Sequence, residues 1–356
     1  MEKKLRLRQW GIEMFGLPPG PLNAITDVQG VGVGHCTIAH GDSVRTGVTA
    51  ILPHSGNIFT DKVPAAVEVI NGFGKAVGLA QIKELGELET PIILTNTLSV
   101  GVALDALVEY KLERNPEIGI TVPSVNGVVA ECNDGYLNDI RGRHVKKEHV
   151  WEAISSASCE MPAEGSVGAG TGMKSFDCKS GIGTSSRKAG DYHVGVLVLS
   201  NFGKWEQLKI TGVPVGQLLK KPGLQGDTKE EGSIVIVLAT DAPVNSRQLG
   251  RIARRAGFGL ARTGSIAGNY SGDFVIAFST GVKYKQSGDS LRTVCFIRDD
   301  RIDKLFEAAA QATEEAIINA LFSAVEITGR DGHSVPSLPV KGVLDILHKR
   351  QVWKQS

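Results

Sequence analysis

Short runs of aliphatic and β-branched residues recur along this chain, separated by longer stretches in which apolar positions repeat with the helical period. The runs predict strands over 46–54 (TGVTAILPH), 65–70, 91–96, 192–201 (YHVGVLVLSN), 233–240 (SIVIVLAT), 273–280 (DFVIAFST) and 292–299 (RTVCFIRD). The helical pattern predicts helices over 98–112, 146–157, 245–261, 301–321 and 339–348. The helix after 245 has a well-marked start: Pro243, then Asn245 and Ser246 as candidate N-caps, then Leu249, Ile252, Ala253, Ala256 and Leu260 on one face. Several strands are apolar at nearly every position, so both faces of their sheet need cover, and the fold class predicted is a layered α/β arrangement. There is no internal repeat. The one break in composition is 219–232 (LKKPGLQGDTKEEG), polar, Gly/Pro-bearing and expected to be exposed. The residues after it hold too few strands for a sheet of their own, so they are expected to share a sheet with strands before it.

Composition narrows the classes. Lys plus Arg (39) balances Asp plus Glu (38), which argues against an electrostatic nucleic-acid binder. No apolar run reaches the ~18 residues of a membrane span, and MEKKLRLRQWGIEMFG carries charge where a signal peptide needs an apolar core, so no membrane partner is expected and a cytoplasmic location is. Cys36, Cys132, Cys159, Cys178 and Cys295 are scattered without CxxC spacing, which predicts reduced thiols. The His residues form no metal-ligand spacing, so no metal is expected, and His35 reads as structural. GSVGAGTGMKS (165–175) fails the spacing of a phosphate loop and reads as a mobile Gly-rich turn.

The chemistry concentrates at one join. Gly232 closes a charged stretch and Ser233 opens a core strand directly after it. A Ser that becomes a chain N-terminus carries nucleophile and base on one residue, since an α-amine of pKa near ~8 can take the hydroxyl proton. A precursor could make that terminus itself, Ser233 attacking the Gly232 carbonyl; Gly, lacking Cβ, lets the hydroxyl approach. The dipeptide alone reads far more readily as an ordinary loop-to-strand junction, since matches this short are usually accidental.

Longer blocks add to it. NAITDVQGVGVGHCTIAHGDSVRTGVTAILP (23–53), TNTLSVG (95–101), VVAECNDGYLNDIRG (128–142), GSVGAGTGM (165–173), GIGTSSRKAG (181–190), VGVLVLSNFG (194–203), GSIVIVLATDAP (232–243) and GRIARRAGFGLARTGSIAGNYSGDFVIAFST (250–280) resemble, in order, the DmpA-type P1 or S58 peptidases, which include L-aminopeptidase/D-Ala-esterase-amidases and β-peptidyl aminopeptidases. The resemblance implies an αββα four-layer sandwich like that of the Ntn hydrolases with different connectivity. It implies one catalytic domain, 1–356, cleaved by itself into 1–232 and 233–356, and homotetramers of such αβ units. It implies an aminopeptidase without cofactor, acting on small peptides, amides or esters with a free amino terminus. By matched position, Ser233 is the nucleophile and Asn201 the oxyanion donor. Tyr136 assists, and Ser271 with Asp273 forms the Ser-x-acid pair, where the shorter Asp stands for a frequent Glu. Glu131 and Asp134 are the candidate partners of the substrate ammonium. Two rival readings stay open: an ornithine acetyltransferase-like acyl transferase, which the Ser nucleophile disfavours, and a non-catalytic relative that never matures.

Overall fold

The computed structural model describes residues 5–14, 16–223, 232–285 and 293–350. Nine strands carry the fold: β1 (Gly32–His40), β2 (Val44–Leu52), β3 (Asp61–Gly72), β4 (Ile92–Asn96), β5 (Val128–Cys132), β6 (Ile182–Ala189), β7 (Tyr192–Asn201), β8 (Ser233–Thr240) and β9 (Gly272–Ser279). The main helices are α1 (Val100–Arg114), α2 (Lys147–Ser155), α3 (Ser246–Arg262), α4 (Asp303–Phe322) and α5 (Val340–Arg350), one for each predicted helix. Asn245 caps α3 as expected, its Oδ1 accepting from the Gln248 N–H at 2.9 Å while Gln248 Oε1 accepts from the Asn245 N–H at 3.1 Å.

Two sheets stack face to face between helices. One has the order β1-β2-β4-β5, the other β3-β9-β8-β7-β6, with a short Tyr284–Lys285 strand outside β3. Three apolar layers glue the stack. Val48, Ala50 and Ile93 pack under α1 and α2; Ile92, Leu94, Val128, Leu197, Val235, Val237 and Ile276 fill the space between the sheets; Val196, Ile234, Ile236 and Val275 pack under α3 and α4. Each fully buried aliphatic side chain contributes about 1.5–3 kcal/mol relative to exposure, so the doubly covered β8, buried at all eight positions, is among the most strongly held elements. The result is an αββα sandwich.

Strands from both sides of 219–232 share the second sheet. β8 lies antiparallel to β7 and parallel to β9, and β9 lies antiparallel to β3. The β8–β9 pair therefore sits wedged between strands from earlier in the chain. Of the polar break itself, residues 224–231 lie outside the described residues.

Three strands are absent from the sequence expectation and one expected strand is not formed. β6, IGTSSRKA, has loop-like polarity, yet Thr184, Ser185, Ser186 and Arg187 are all buried against α4 and the segment 20–27. Most of its polar groups find partners: Ser186 Oγ donates to Asp27 at 2.6 Å, Ser185 Oγ donates to Asn23 Oδ1 at 2.9 Å, and Arg187 Nη2 meets Glu315 Oε2 at 2.6 Å, both side chains 0% exposed, while Arg187 Nε is left without one among the described residues. β1 and β5 likewise pass unnoticed, the first for its glycines and His35, the second because its run is short. Of the expected strand 292–299, Arg292 lies outside the described residues; 293–298 is irregular and alternately half-exposed, joining the fold through a hydrogen bond from the Ile297 N–H to the Pro243 carbonyl at 2.9 Å. The Gly-rich turn is not an open loop: 168–173 is buried, and the Gly168 N–H donates to Thr37 Oγ1 at 2.8 Å. Among the described residues no helix is long and apolar enough to cross a membrane.

Burial pushes the Glu315 carboxyl up, but the charges of Arg187 and Arg8 and the hydrogen bonds from Arg8 and Asn23 hold it below the usual range. Removing this carboxylate strands a fully buried guanidinium. Glu315→Ala is expected to cost about 3–5 kcal/mol in urea unfolding, and a loss below ~1 kcal/mol would show that α4 and β6 do not depend on the pair.

Candidate active site

The site forms where strand ends converge. Because α3 carries the chain back across the sheet, parallel β8 and β9 begin side by side, with Ser233 opposite Gly272. Antiparallel β7 ends against them, with Asn201 opposite Ser233. From the other sheet come the ends of β4 and β5, where Glu131 stands beside Thr95. Ser233, Gly232, Asn201 and Glu131 line one small pocket of about 60 Å³, together with Asn133 and Thr97.

The nucleophile candidate is held by backbone. The Gly272 N–H donates to Ser233 Oγ at 3.2 Å and lies 3.3 Å from the Gly232 carbonyl oxygen, so one donor spans both partners of the join. Space requires the glycine at 272 and leaves little room for anything else at 232. A Cβ on Gly232 would lie 3.0 Å from Phe202 Cα and Cβ, and one on Gly272 would lie 2.7 Å from the Phe73 carbonyl oxygen.

Asn201 has a fixed amide. Its Oδ1 accepts from the Lys174 N–H at 3.0 Å and one Nδ2 hydrogen goes to the Asn133 carbonyl at 2.9 Å. The second Nδ2 hydrogen is left for the pocket that the residue lines. The Gly-rich turn leads into Lys174, so its packing sets this orientation.

Glu131 is 3% exposed; Oε1 accepts from the Lys75 N–H at 2.8 Å and Oε2 from the Thr97 hydroxyl. Ser271 and Asp273 flank Gly272, and the Ser271 hydroxyl donates to Asp273 Oδ1 at 2.7 Å. Burial raises the Asp273 carboxyl to about 6, against hydrogen bonds from Ser271 and the Ile234 N–H that favour its charged form.

Ser271 and Asp273 flank the donor Gly272 without lining this pocket, and two further predicted residues lie elsewhere. Asp134 does not reach the pocket. It is fully buried beneath the 133–138 turn, accepts from Asn138 Nδ2 at 3.0 Å, and is raised to about 7 by burial. Such a carboxyl supports the turn that carries Asn133 and has no face for a substrate ammonium. Tyr136 stands outside the pocket: its ring stacks on His333 at 4.6 Å, with Lys174 Nζ 5.4 Å from the ring centre. His35 is structural, Nδ1 hydrogen-bonded to Thr49 Oγ1 at 2.9 Å and its pKa lowered to about 4 by burial. Phe73, Lys75, Thr97, Asn133, Tyr270 and Gly272 complete the site without a sequence signal of their own: Thr97, Asn133, Tyr270 and Gly272 lie inside the matched blocks, and Phe73 and Lys75 come in through strand order.

The model of peptidase family S58 matches residues 23–335. The chain belongs to peptidase family S58. It is 41% identical to the β-peptidyl aminopeptidase BapA of Sphingosinicella microcystinivorans, over 97% of this chain and 92% of that relative. Among solved structures, the PH0078 protein of Pyrococcus horikoshii OT3 is 50% identical with a TM-score of 0.92, covering 98% of this chain and 99% of that one. The L-aminopeptidase D-Ala-esterase/amidase of Ochrobactrum anthropi is 36% identical with a TM-score of 0.89, covering 97% and 99%, and is described as a new variant among the Ntn hydrolase fold. The family makes this protein a hydrolase of the aminopeptidase type and places its sandwich with that variant fold.

Proposed function

We propose that the chain is a self-processing N-terminal-serine aminopeptidase that releases a small N-terminal residue, β-amino acids included, from short peptides, amides and esters. The observation that carries this is the Gly232–Ser233 join itself, with one backbone N–H on both its reacting oxygens, in the same pocket as the Asn201 amide and the Glu131 carboxylate. The β-amino-acid part is supported by the relatives named β-peptidyl aminopeptidases, 41% and 39% identical.

Processing runs as an N-to-O shift. Ser233 Oγ attacks the Gly232 carbonyl carbon, the C–N bond breaks, and the amide nitrogen leaves as the Ser233 α-amine. Water then hydrolyses the ester, leaving a carboxylate on Gly232 and freeing the hydroxyl. Pieces 1–232 and 233–356 stay together, a reading supported by the position of β8 and β9 between β7 and β3. In turnover the α-amine takes the hydroxyl proton. Glu131 holds the substrate ammonium, and Ser233 Oγ attacks the carbonyl beside it. Asn201 Nδ2 donates to the oxyanion, the leaving amine departs with the proton, and water releases the acyl group. The Ser271 hydroxyl, spending its proton on Asp273, keeps lone pairs to accept from the new α-ammonium.

N-terminal sequencing of active protein is expected to return two sequences, one from the start of the chain and one beginning Ser-Ile-Val. A single sequence from fully active material would overturn the reading. A panel of L-, D- and β-amino-acid amides then fixes the preferred residue.

The Asp273 carboxyl gives a pH test. Its folded pKa, raised to about 6, lies above the ordinary value of 3.8, so the folded chain holds the extra proton and stability falls as pH climbs through that window. Activity runs the other way, because the pair works only when Asp273 is ionised. A neighbouring α-ammonium draws its pKa down, so in the processed enzyme it titrates at or below about 6. Log kcat/KM is therefore expected to rise with a slope near ~2 below both this pKa and that of the α-amine near ~8, and with a slope near ~1 in Asp273→Asn. Equal slopes would remove Asp273 from the machinery.

A further inference from the structure

The active-site pocket holds two opposite charges that do not meet. Glu131 and Lys75 both line it, yet among the described residues neither has an ion pair within 4 Å. Geometry keeps them apart. The Lys75 backbone N–H is bonded to Glu131 Oε1, while the Lys75 ammonium is turned the other way, 5.3 Å from the centre of the Phe73 ring. A cation over an aromatic face is aimed, and it keeps all three hydrogen-bond donors for a ligand. Phe73 and Tyr270 meet edge to face at 5.3 Å and form an apolar wall on the pocket, although they are 54% and 57% exposed. Two aromatic rings left in water at the mouth of a site are a surface waiting for an apolar group.

We propose that Lys75, Phe73 and Tyr270 form the subsite for the leaving half of the substrate, and that they select zwitterionic dipeptides whose second residue is apolar or aromatic and ends in a free carboxylate. This rests on the aminopeptidase reading of Ser233 and Glu131. The substrate ammonium sits on Glu131, the scissile carbonyl lies at Ser233, and the carboxylate one residue further on meets the Lys75 ammonium. Two extended residues span at most about 7 Å, and the pocket lining offers one charge for each end of such a substrate. A longer peptide or a C-terminal amide fills the same aromatic wall but brings no negative charge to Lys75. The reaction is unchanged: water adds across the peptide bond, and the second amino acid leaves with its carboxylate intact.

The test compares kcat/KM for four substrates sharing one N-terminal residue X: X-Phe and X-Gly as free acids, X-Phe amide and X-p-nitroanilide. Wild type is expected to favour the free acid over the amide by about two- to fivefold, the scale of one exposed charge pair. Lys75→Met brings the ratio near ~1, Lys75→Glu reverses it, and Lys75→Arg restores it. Each variant keeps the backbone N–H that Glu131 accepts. Phe73→Ala is expected to weaken X-Phe relative to X-Gly by about fivefold. A wild-type acid-to-amide ratio near ~1, or one unmoved by Lys75→Met, overturns the subsite while X-p-nitroanilide is still cleaved. Failure to cleave any X-substrate overturns the aminopeptidase reading beneath it.

Discussion

Ser233→Ala is expected to purify as one uncut chain of about 37.8 kDa and to lose turnover by at least ~10³-fold. The two losses have one cause. The hydroxyl that breaks the Gly232–Ser233 bond is the same one that attacks substrate, so removing it leaves the α-nitrogen locked in an amide, without a lone pair for proton transfer. Folding should survive. Ser233 is small and 8% exposed, and its partner donor, Gly272 N–H, keeps the Gly232 carbonyl 3.3 Å away. The variant therefore isolates chemistry from stability. Intact-mass analysis reads the cut, and an unchanged unfolding midpoint shows that the fold is intact. A Ser233→Ala chain still cut at 232/233 would end the self-processing scheme. Ser233→Cys discriminates further, since a thiol can perform the same N-to-S shift: slow cutting with weak turnover is the expected intermediate outcome.

What could be read in advance follows from where the physics is local. The β8–α3–β9 unit was legible because its strands are apolar on both faces and its helix start is written in Pro243 and Asn245. β6 was not, because its burial rests on partners far along the chain, Asn23, Asp27 and Glu315, whose proximity no window of sequence records. The 292–299 run failed in the opposite sense: it has strand-like residues, but the described part, 293–298, is paired with no strand. The site divides the same way. Ser233, Asn201 and Glu131 stand at strand ends within recognisable blocks; Thr97 and Tyr270 lie in such blocks without a mark of their own, and Phe73 and Lys75, outside them, join only through the order of strands in two sheets. Asp134 shows how a sequence neighbour misleads. Glu131 ends its side chain in the pocket while Asp134, three residues on, turns under the loop.

Asn201→Ala is expected to lower kcat by about 10²–10³-fold with little change in KM, a loss of roughly 3–4 kcal/mol of transition-state stabilisation. The size follows from how the amide is held. Asn201 is 7% exposed, Lys174 N–H fixes its oxygen and the Asn133 carbonyl fixes one of its N–H bonds, so the remaining N–H is oriented before substrate arrives. Such a donor costs no reorganisation at the moment charge develops on the carbonyl oxygen, and its effect falls on kcat because the ground-state carbonyl needs it less. Asn201→Asp is the sharper control. The carboxylate is nearly the same shape, but it brings a negative charge against both the Asn133 carbonyl and the oxyanion, so it should fall below the Ala variant. Rates are to be measured on the cut fraction, since processing passes through an oxyanion of its own. A loss in Asn201→Ala smaller than about fivefold, or one carried by KM, would mean that the oxyanion is served by backbone donors such as the Gly272 N–H and that Asn201 serves only to tie Asn133 to the Gly-rich turn.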